Sequence, residues 1–364
     1  MRDGLAIDKW ILFPVLALLA LGVTMVLSTS YLYSQERMGD GTYFFRKQLI
    51  AMGLGFLALI VCAAIPSAKY RNFAYPLLGL TVIVLLAVLI PGIGAVRGGA
   101  RRWLTMPGFA FQPAELAKLA VVVYLAHSMA KKESTIQTFS IGVLPHLIVT
   151  GLVLGLLLLE PDFGTALILV MLLYLLLFVG GAKPLHLLAT GLVALPALAY
   201  ILIKAPYRLQ RLLTFLNPGS DPENKGFQLN QSLIAIGSGQ AWGRGLGESR
   251  QKLFYLPEAH TDFVFSVIGE ELGLLGVLVV VALFGVIVFR GLRLTNRIEE
   301  PFDQYLAFGL TALLGLQALI HMSVAMGLLP TKGLVLPFIS YGGSAMVINL
   351  MEAGILLSLS RRRV

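Results

Sequence analysis

Long apolar runs, each closed by a short polar break, follow one another along most of the chain. A helix that crosses a bilayer needs about 20 consecutive, mostly apolar residues. Ten stretches approach or meet that length: 11–31, 46–65, 76–94, 112–130, 141–159, 163–180, 184–203, 263–289, 303–329 and 340–360. In lipid each must be helical, because hydrocarbon offers no partner to a bare backbone N–H or C=O. The pattern predicts an all-α polytopic membrane protein of about ten transmembrane helices in a single integral-membrane domain, residues 1–364. The first run lacks a small-residue cleavage site and is followed by further spans, so it reads as a retained helix.

One loop is long, 204–262, between the seventh and eighth spans. Its stretch YRLQRLLTFL (207–216) sets apolar residues at helical spacing with arginines between them, the pattern of a helix lying in the membrane interface. NPGSDPENKG (217–226) reads as turn, FQLNQSLIAIGSG (227–239) as a re-entrant or surface helix, and GRGLGES (243–249) as a flexible turn. The loop enters the eighth span through QKLFYLPEAHTDFVFSVIGEELGLLG (251–276), which sets Glu258, His260 and Asp262 at the mouth of the span and Glu270 and Glu271 two turns inside it. Ionisable groups there are costly and mark a functional site by default.

The chain is 57% hydrophobic and only 13% charged, which excludes an ordinary soluble domain. The net charge of +9 does not point to nucleic acid here, because cations in membrane proteins mostly set topology. Placing the N-terminus in the cytoplasm puts thirteen Lys and Arg on the inside and seven in the outside short loops, so both termini are expected to be cytoplasmic. The long loop is then extracytoplasmic. The single cysteine, Cys62, excludes an intramolecular disulfide.

Charges inside or beside spans supply the remaining candidates. Glu115 and Lys118 are three residues apart on one helix face, either a packing ion pair or a lysine presented to an anionic substrate. Arg101, Arg102 and Trp103 form a basic–aromatic loop able to grip phosphate. Glu160-Pro161-Asp162 is an outside turn whose carboxylates either stay solvated or bind a cation or sugar hydroxyls. Prolines and glycines around Ser340 and Tyr341 break helical regularity, which is tolerated at membrane depth only inside protein or along a cavity. His127, His146, His186 and His321 fit no metal-ligand spacing and read as helix-packing residues.

Six stretches carry a family resemblance: GGARRWL (98–104), FQPAELAKLA (111–120), EPDFGTALIL (160–169), FQLNQSLIAIGSG (227–239), GRGLGESRQKLFYLPEAHTDFVFSVIGEELGLLG (243–276) and GLLPTKGLVLPFISYGGS (327–344). In this order, over nearly the whole chain, they resemble the SEDS family, the FtsW, RodA and SpoVE proteins of bacterial cell-wall synthesis. ARRWL, EPDFGTA, QKLFYLPEAHTDF and LLPTKG resemble the FtsW/SpoVE branch more than RodA. Ala114 stands where the family's motif has serine. The resemblance implies a peptidoglycan glycosyltransferase of the bacterial inner membrane that polymerises lipid II, acting in division or cell shape. It also implies a class B penicillin-binding protein as partner, with other division or elongation membrane proteins.

That reaction turns an α-linked sugar pyrophosphate into a β linkage, so one inverting displacement with one general base suffices. Asp262 is the candidate base, where partial desolvation would raise its pKa; the alternative is that it only N-caps the eighth span. Arg101, Arg102, Lys118, Arg208 and Arg211 are the cations available to the leaving group. Trp103, Glu115, Glu258, His260, Ser340 and Tyr341 complete the expected substrate site. A divalent cation (Mg or Mn) held by Asp262, Glu160, Asp162 or Glu258 is a further expectation, and Glu270 or Glu271 is a possible partner of Lys118. The competing classes are a lipid II flippase, which needs polar groups through the full thickness, and a scaffold. The bias of ionisable residues to the outer half favours group transfer.

Overall fold

The computed structural model describes residues 7–97, 99–106, 109–204, 215, 226–253 and 255–361. The elements in order are α1 (Lys9–Met38), α2 (Tyr43–Ala64), α3 (Ser67–Leu89), β1 (Gly94–Arg97), β2 (Ala100–Met106), β3 (Phe109–Phe111), α4 (Pro113–Lys131), α5 (Leu144–Leu159), α6 (Phe163–Val179) and α7 (Pro184–Lys204). After the long loop's own helix, α8 (Phe227–Gly239), come α9 (Val264–Thr295), α10 (Pro301–Ala325) and α11 (Gly343–Ser360). Every predicted span therefore holds a helix, and the amide-bearing stretch 227–239 is helical as expected. The stretches 207–216 and 217–225, with Arg208 and Arg211, lie outside the described residues.

Among the described residues seven helices are long and apolar enough to cross a membrane, and α6 and the start of α7 are shorter apolar helices. This is a multi-pass membrane protein. α4 owes its place to its polar groups. Glu115 and Lys118 are both buried in protein, and an ion pair could not face lipid without a large desolvation cost. α4 accordingly packs against α3 and α10 at the centre of the bundle. α10 and α11 are central too, with 67% and 83% of their most apolar windows buried, against 22% for α3.

The two faces of the bundle can be told apart from side-chain contacts. Asp8 caps α1 by accepting the Trp10 N–H, and its own N–H lies 3.4 Å from Ser360 Oγ. Arg290, near the end of α9, pairs with the Asp8 carboxylate at 2.6 Å. Both ends of the described chain thus lie on one face. The start of α9, with Asp262, lies on the other.

Three features depart from the predicted plan. The loop between α3 and α4 is not plain coil but an antiparallel three-stranded sheet in the order β1-β2-β3, with Leu104 paired to Gly94 on one side and Phe111 on the other. α9 is broken at Gly273 (φ 66, ψ −164). Val264 to Glu271 are buried in protein, and lipid-facing side chains begin at Leu274 and run to Phe289, about 24 Å of helix. The predicted last two spans are trimmed at their facing ends, because 326–342 is a non-helical strap.

That strap lies directly on α1. A Cβ on Gly22 would meet the Phe338 carbonyl oxygen at 2.5 Å and Ile339 Cα at 2.8 Å, both backbone atoms that cannot swing aside. Gly22→Ala is expected to lower stability by about 1–3 kcal/mol, the usual range for overpacking, measured as thermal unfolding in detergent. An unchanged unfolding midpoint would show that the strap is not held against α1.

Candidate functional site

The loop before α9 turns on Glu258. This residue is left-handed (φ 54), and its carbonyl accepts the N–H groups of Thr261 and Asp262 at 3.1 and 3.0 Å. The turn sets the half-buried Asp262 against the strap. A methyl group on Gly333 would lie 3.0 Å from Asp262 Oδ2, so glycine is what lets the carboxylate come this close. The N-cap of α9 falls on Phe263, one residue later than the capping alternative requires.

Strap and loop are stitched together beside this contact. Ser340 Oγ donates to the Thr261 carbonyl at 2.7 Å and accepts the Leu336 N–H at 2.9 Å. The Tyr341 N–H donates to the His260 carbonyl at 2.9 Å. Gln48 of α2 donates to the Ser340 carbonyl at 3.2 Å. The His260 ring is buried among Tyr33, Phe44 and Tyr341, with centroids 5.3, 5.2 and 5.7 Å away. Burial, opposed by Glu258, pushes its pKa below the usual value and so favours the neutral ring. His260, Ser340 and Tyr341 were expected at the substrate; their contacts make them braces of the turn that carries Asp262. Glu258 is exposed, and its carboxylate accepts from Thr261 Oγ1.

Lys332, next to Gly333, faces a different neighbour. Its Nζ lies 4.5 Å from the centre of the Phe163 ring. Burial lowers its pKa to about 8, opposed by the nearby Asp162 carboxylate. Asp162 caps α6 through the N–H and Oγ1 of Thr165, at 3.1 and 2.9 Å. Gln112 Nε2 stands 3.5 Å from the same carboxylate.

The two arginines of β2 are separated at an irregularity in the ladder, where Arg101 pairs with Val96 and Trp103 with Ala95 and Arg102 is the extra residue between them. Arg102 donates to the Glu160 and Pro161 carbonyls at 2.8 and 2.6 Å, while Arg101 donates to the Leu89 carbonyl at the end of α3. The Glu160–Asp162 turn is therefore buried, not solvated. Glu160 is fully buried with no hydrogen-bond partner for either carboxyl oxygen among the described residues. Burial, reinforced by Asp162 and opposed by Arg102, pushes its pKa up to about 8. Trp103 sits partly buried on β2, opposite Ala95.

Glu115 and Lys118 form the predicted pair at 2.9 Å, and Lys118 Nζ also donates to Gln317 of α10 at 2.5 Å. Neither Glu270 nor Glu271 pairs with Lys118. Glu271 pairs with Lys252, and Glu270 accepts from Ser249. The reason is the break at Gly273, which brings the loop, not α4, against both carboxylates. His127, His146, His186 and His321 pack against rings or backbone carbonyls as expected, the last with Nδ1 at 2.7 Å from the Leu334 carbonyl.

Sequence reasoning counted Lys332 only as a topology charge. The available signal was its position, a lone cation in a proline- and glycine-broken segment between apolar residues. Also unforeseen is an apolar groove of about 1030 Å³ between α5, α6 and α7, lined by Leu154, Leu158, Leu167 and Val193 among others. Phe163 belongs to both features: it lines the groove and lies beneath Lys332.

The family model described as "Cell cycle protein", built on FtsW, RodA and SpoVE sequences, matches residues 9–364. The chain belongs to the FtsW/RodA/SpoVE family. Among family members, a protein named probable peptidoglycan glycosyltransferase FtsW from Geobacter sulfurreducens is 46% identical over 355 residues, 98% of this chain and 95% of that one. Stage V sporulation protein E of Bacillus subtilis is 36% identical over 354 residues, 97% of each chain. The crystal structure of the rod shape determining protein RodA of Thermus thermophilus superposes with TM-score 0.72 at 30% identity, over 98% of this chain and 97% of that one. A chain from a peptidoglycan synthase complex, solved to explain how polymerization and crosslinking are coordinated, gives TM-score 0.79 at 32% identity over 99% and 98%.

The raised pKa of Glu160 has a stability consequence. The carboxyl keeps its proton in the folded state up to about pH 8, but an ordinary carboxyl loses it near 4.5. Its stabilising contribution is complete below 4.5 and is lost as pH rises through about 8. Glu160→Gln keeps the shape of the neutral acid. Its thermal midpoint is expected to gain on wild type progressively across that window; parallel pH profiles would show that Glu160 is ionised throughout.

Proposed function

We propose that this chain is a peptidoglycan glycosyltransferase. It polymerises lipid II at the outer face of the bacterial inner membrane, with both termini cytoplasmic, in division or cell-shape maintenance. The observation that carries the reading is the double role of Phe163. Its ring lies under the Lys332 ammonium and also lines the apolar groove. A lipid-linked pyrophosphate has the matching parts, an anionic head for the cation and a long hydrocarbon chain for the groove. The names of the relatives agree with it, as does the excess of Lys and Arg on the face that carries the termini.

The reaction then follows from the positions of the side chains. The acceptor's 4-hydroxyl gives its proton to the Asp262 carboxylate as its oxygen attacks the anomeric carbon of the donor sugar. The bond from that carbon to the pyrophosphate oxygen breaks on the opposite side, so the linkage inverts and no covalent enzyme intermediate forms. Negative charge grows on the leaving pyrophosphate, and Lys332 is placed to stabilise it. Arg101 and Arg102, bound to carbonyls, act by holding the sheet and the Glu160–Asp162 turn around this space.

No group of three His, Cys, Asp or Glu gathers as a metal site among the described residues. A divalent cation would therefore depend on one or two carboxylates, with Asp262 the best placed, together with phosphate oxygens of the substrate. The partner is a class B penicillin-binding protein that crosslinks the strand produced here.

Asp262→Asn tests the base. With purified lipid II, detergent-solubilised protein and the crosslinking partner, polymer formation is expected to fall by about 10²–10⁴-fold at an unchanged size-exclusion profile. Equal polymer from both proteins would sink the assignment. If wild type makes no polymer yet moves lipid II across liposomes, the reading passes to transport.

Lys332 gives a second test. It must be protonated to stabilise the leaving group, so the rate is expected to decline as pH rises through about 8. Lys332→Gln should lose about 10²–10³-fold in kcat and the alkaline decline with it. A flat alkaline limb in wild type would exclude Lys332 from this role.

A further inference from the structure

Eleven residues beyond Asp262, the break in α9 is filled by another part of the chain. At Gly273 the helix loses its internal hydrogen bonds. The freed carbonyls of Glu270 and Glu271 accept the N–H groups of Arg244 and Gly245, both at 3.0 Å. The N–H groups of Leu274 and Leu275 donate to the carbonyls of Gln240 and Ala241 at 2.9 and 3.3 Å. Glycines make the fit possible. A Cβ on Gly243 would lie 2.2 Å from the Glu271 carbonyl oxygen, and one on Gly273 would lie 2.3 Å from the Gly243 nitrogen.

Side chains extend the same dock. Glu270 is 1% exposed. Its Oε2 accepts Ser249 Oγ at 2.5 Å and the Gln251 N–H at 3.3 Å, and its Oε1 accepts the Arg250 N–H at 3.0 Å. Glu271 holds Lys252 at 2.8 Å and Ser28 of α1 at 2.7 Å. A buried carboxylate in a membrane helix usually marks a substrate path. Here the Glu270 oxygens are hydrogen-bonded by three consecutive residues of one loop, with the guanidinium of Arg244, from the same loop, 3.9 Å from Oε1.

We propose that Glu270 is a positioning residue for Asp262. The inference rests on the base assignment made above. The segment 249–262 is held at two ends. Glu270 fixes Ser249 to Gln251, and the Gln251 carbonyl passes the constraint on by accepting the Leu256 N–H at 2.8 Å. At the far end Ser340 holds Thr261. Glu270 reaches no reacting atom; it sets where the carboxylate stands. A base displaced by about 1 Å loses on the order of 10²-fold in rate, so the near anchor should act on kcat with little effect on substrate binding.

The test compares Glu270→Ala, Glu270→Gln, Ser249→Ala and Asp262→Asn in the lipid II polymerisation assay, with hydrogen exchange of the 249–253 amides read in parallel. Glu270→Ala is expected to lower kcat by about 10²-fold while KM for lipid II stays within about 3-fold and the thermal midpoint holds. Exchange at 249–253 should quicken at least about 10-fold. Glu270→Gln should recover most of the rate, because its carbonyl still takes the Arg250 N–H and its amide can donate to Ser249 Oγ. Fast exchange with wild-type kcat would overturn the proposal, since the loop would be free and the base undisturbed. A rise in KM at constant kcat would overturn it equally. If Glu270→Ala does not fold, Ser249→Ala decides: reduced kcat at constant KM supports the anchor, and unchanged kcat removes it. Failure of the base reading is separately visible, because Asp262→Asn would then be fully active.

Discussion

A backbone carbonyl or N–H at membrane depth must be hydrogen-bonded within the protein, and this chain interrupts its helices near one face. α9 breaks at Gly273, the strap 326–342 is non-helical, and α5 and α6 meet at the Glu160–Asp162 turn. None of these interruptions is satisfied wholly from within. The break in α9 takes its partners from 240–245, the strap from Thr261, His260 and Gln48, and the turn from Arg102. Each segment is therefore a structural requirement of another. Asp262 stands where two of them meet, which makes its position a property of the whole outer layer.

The buried carboxylates are handled in three ways, and the contrast bears on which of them does chemistry. Glu115 and Glu271 are matched by lysines, at 2.9 and 2.8 Å. Glu270 is matched by N–H and O–H donors, with the Arg244 guanidinium 3.9 Å from its Oε1. Glu160 has neither kind of partner among the described residues, and burial keeps it protonated into the neutral range. Each of these arrangements quenches a charge that would otherwise be costly. Asp262 is the half-buried member of the set and lies close against Gly333. A general base needs that intermediate condition, dehydrated enough to take a proton and open enough for a sugar hydroxyl to reach it.

The ten helices were legible because hydrophobic length is a local property of sequence. So was the Glu115–Lys118 pair, three residues apart on one helix face. What could not be read were pairings set by distant chain. Gly273 sits in an apolar run and looks like any membrane glycine; only the approach of Gly243 from thirty residues away explains it. Arg101 and Arg102 read as a joint phosphate grip, but an irregular register at Arg102 gives them different carbonyl partners, and a strand this short inside a loop leaves little pattern. Lys332 looked like a topology charge because its neighbour Phe163 lies far away in sequence. Ser340 and Tyr341 were singled out for the right reason, a break in helical regularity, yet the break serves to hold Asp262. Arg208 and Arg211 lie outside the described residues.

The depth of these features favours transfer at one face over carriage through the bilayer. Lipid-facing side chains on α9 begin at Leu274, about 15 Å of helix beyond its first residue, Val264. The groove ends at Phe163, where its apolar lining gives way to Lys332. On the proposed reading a lipid-linked substrate would divide at this ring, with its chain in the groove and its head at Lys332. To carry the head across, polar groups would have to continue past that ring through the groove, where the lining is apolar. The cluster that does lie deeper centres on Lys118, whose ammonium is held between the Glu115 carboxylate and the Gln317 side-chain oxygen, packed between α4 and α10. An anion entering there would have to break the ion pair and strand Glu115 without its cation. At the face that carries the start of α9, Lys332 lies over the Phe163 ring, in the same strap whose Gly333 meets Asp262.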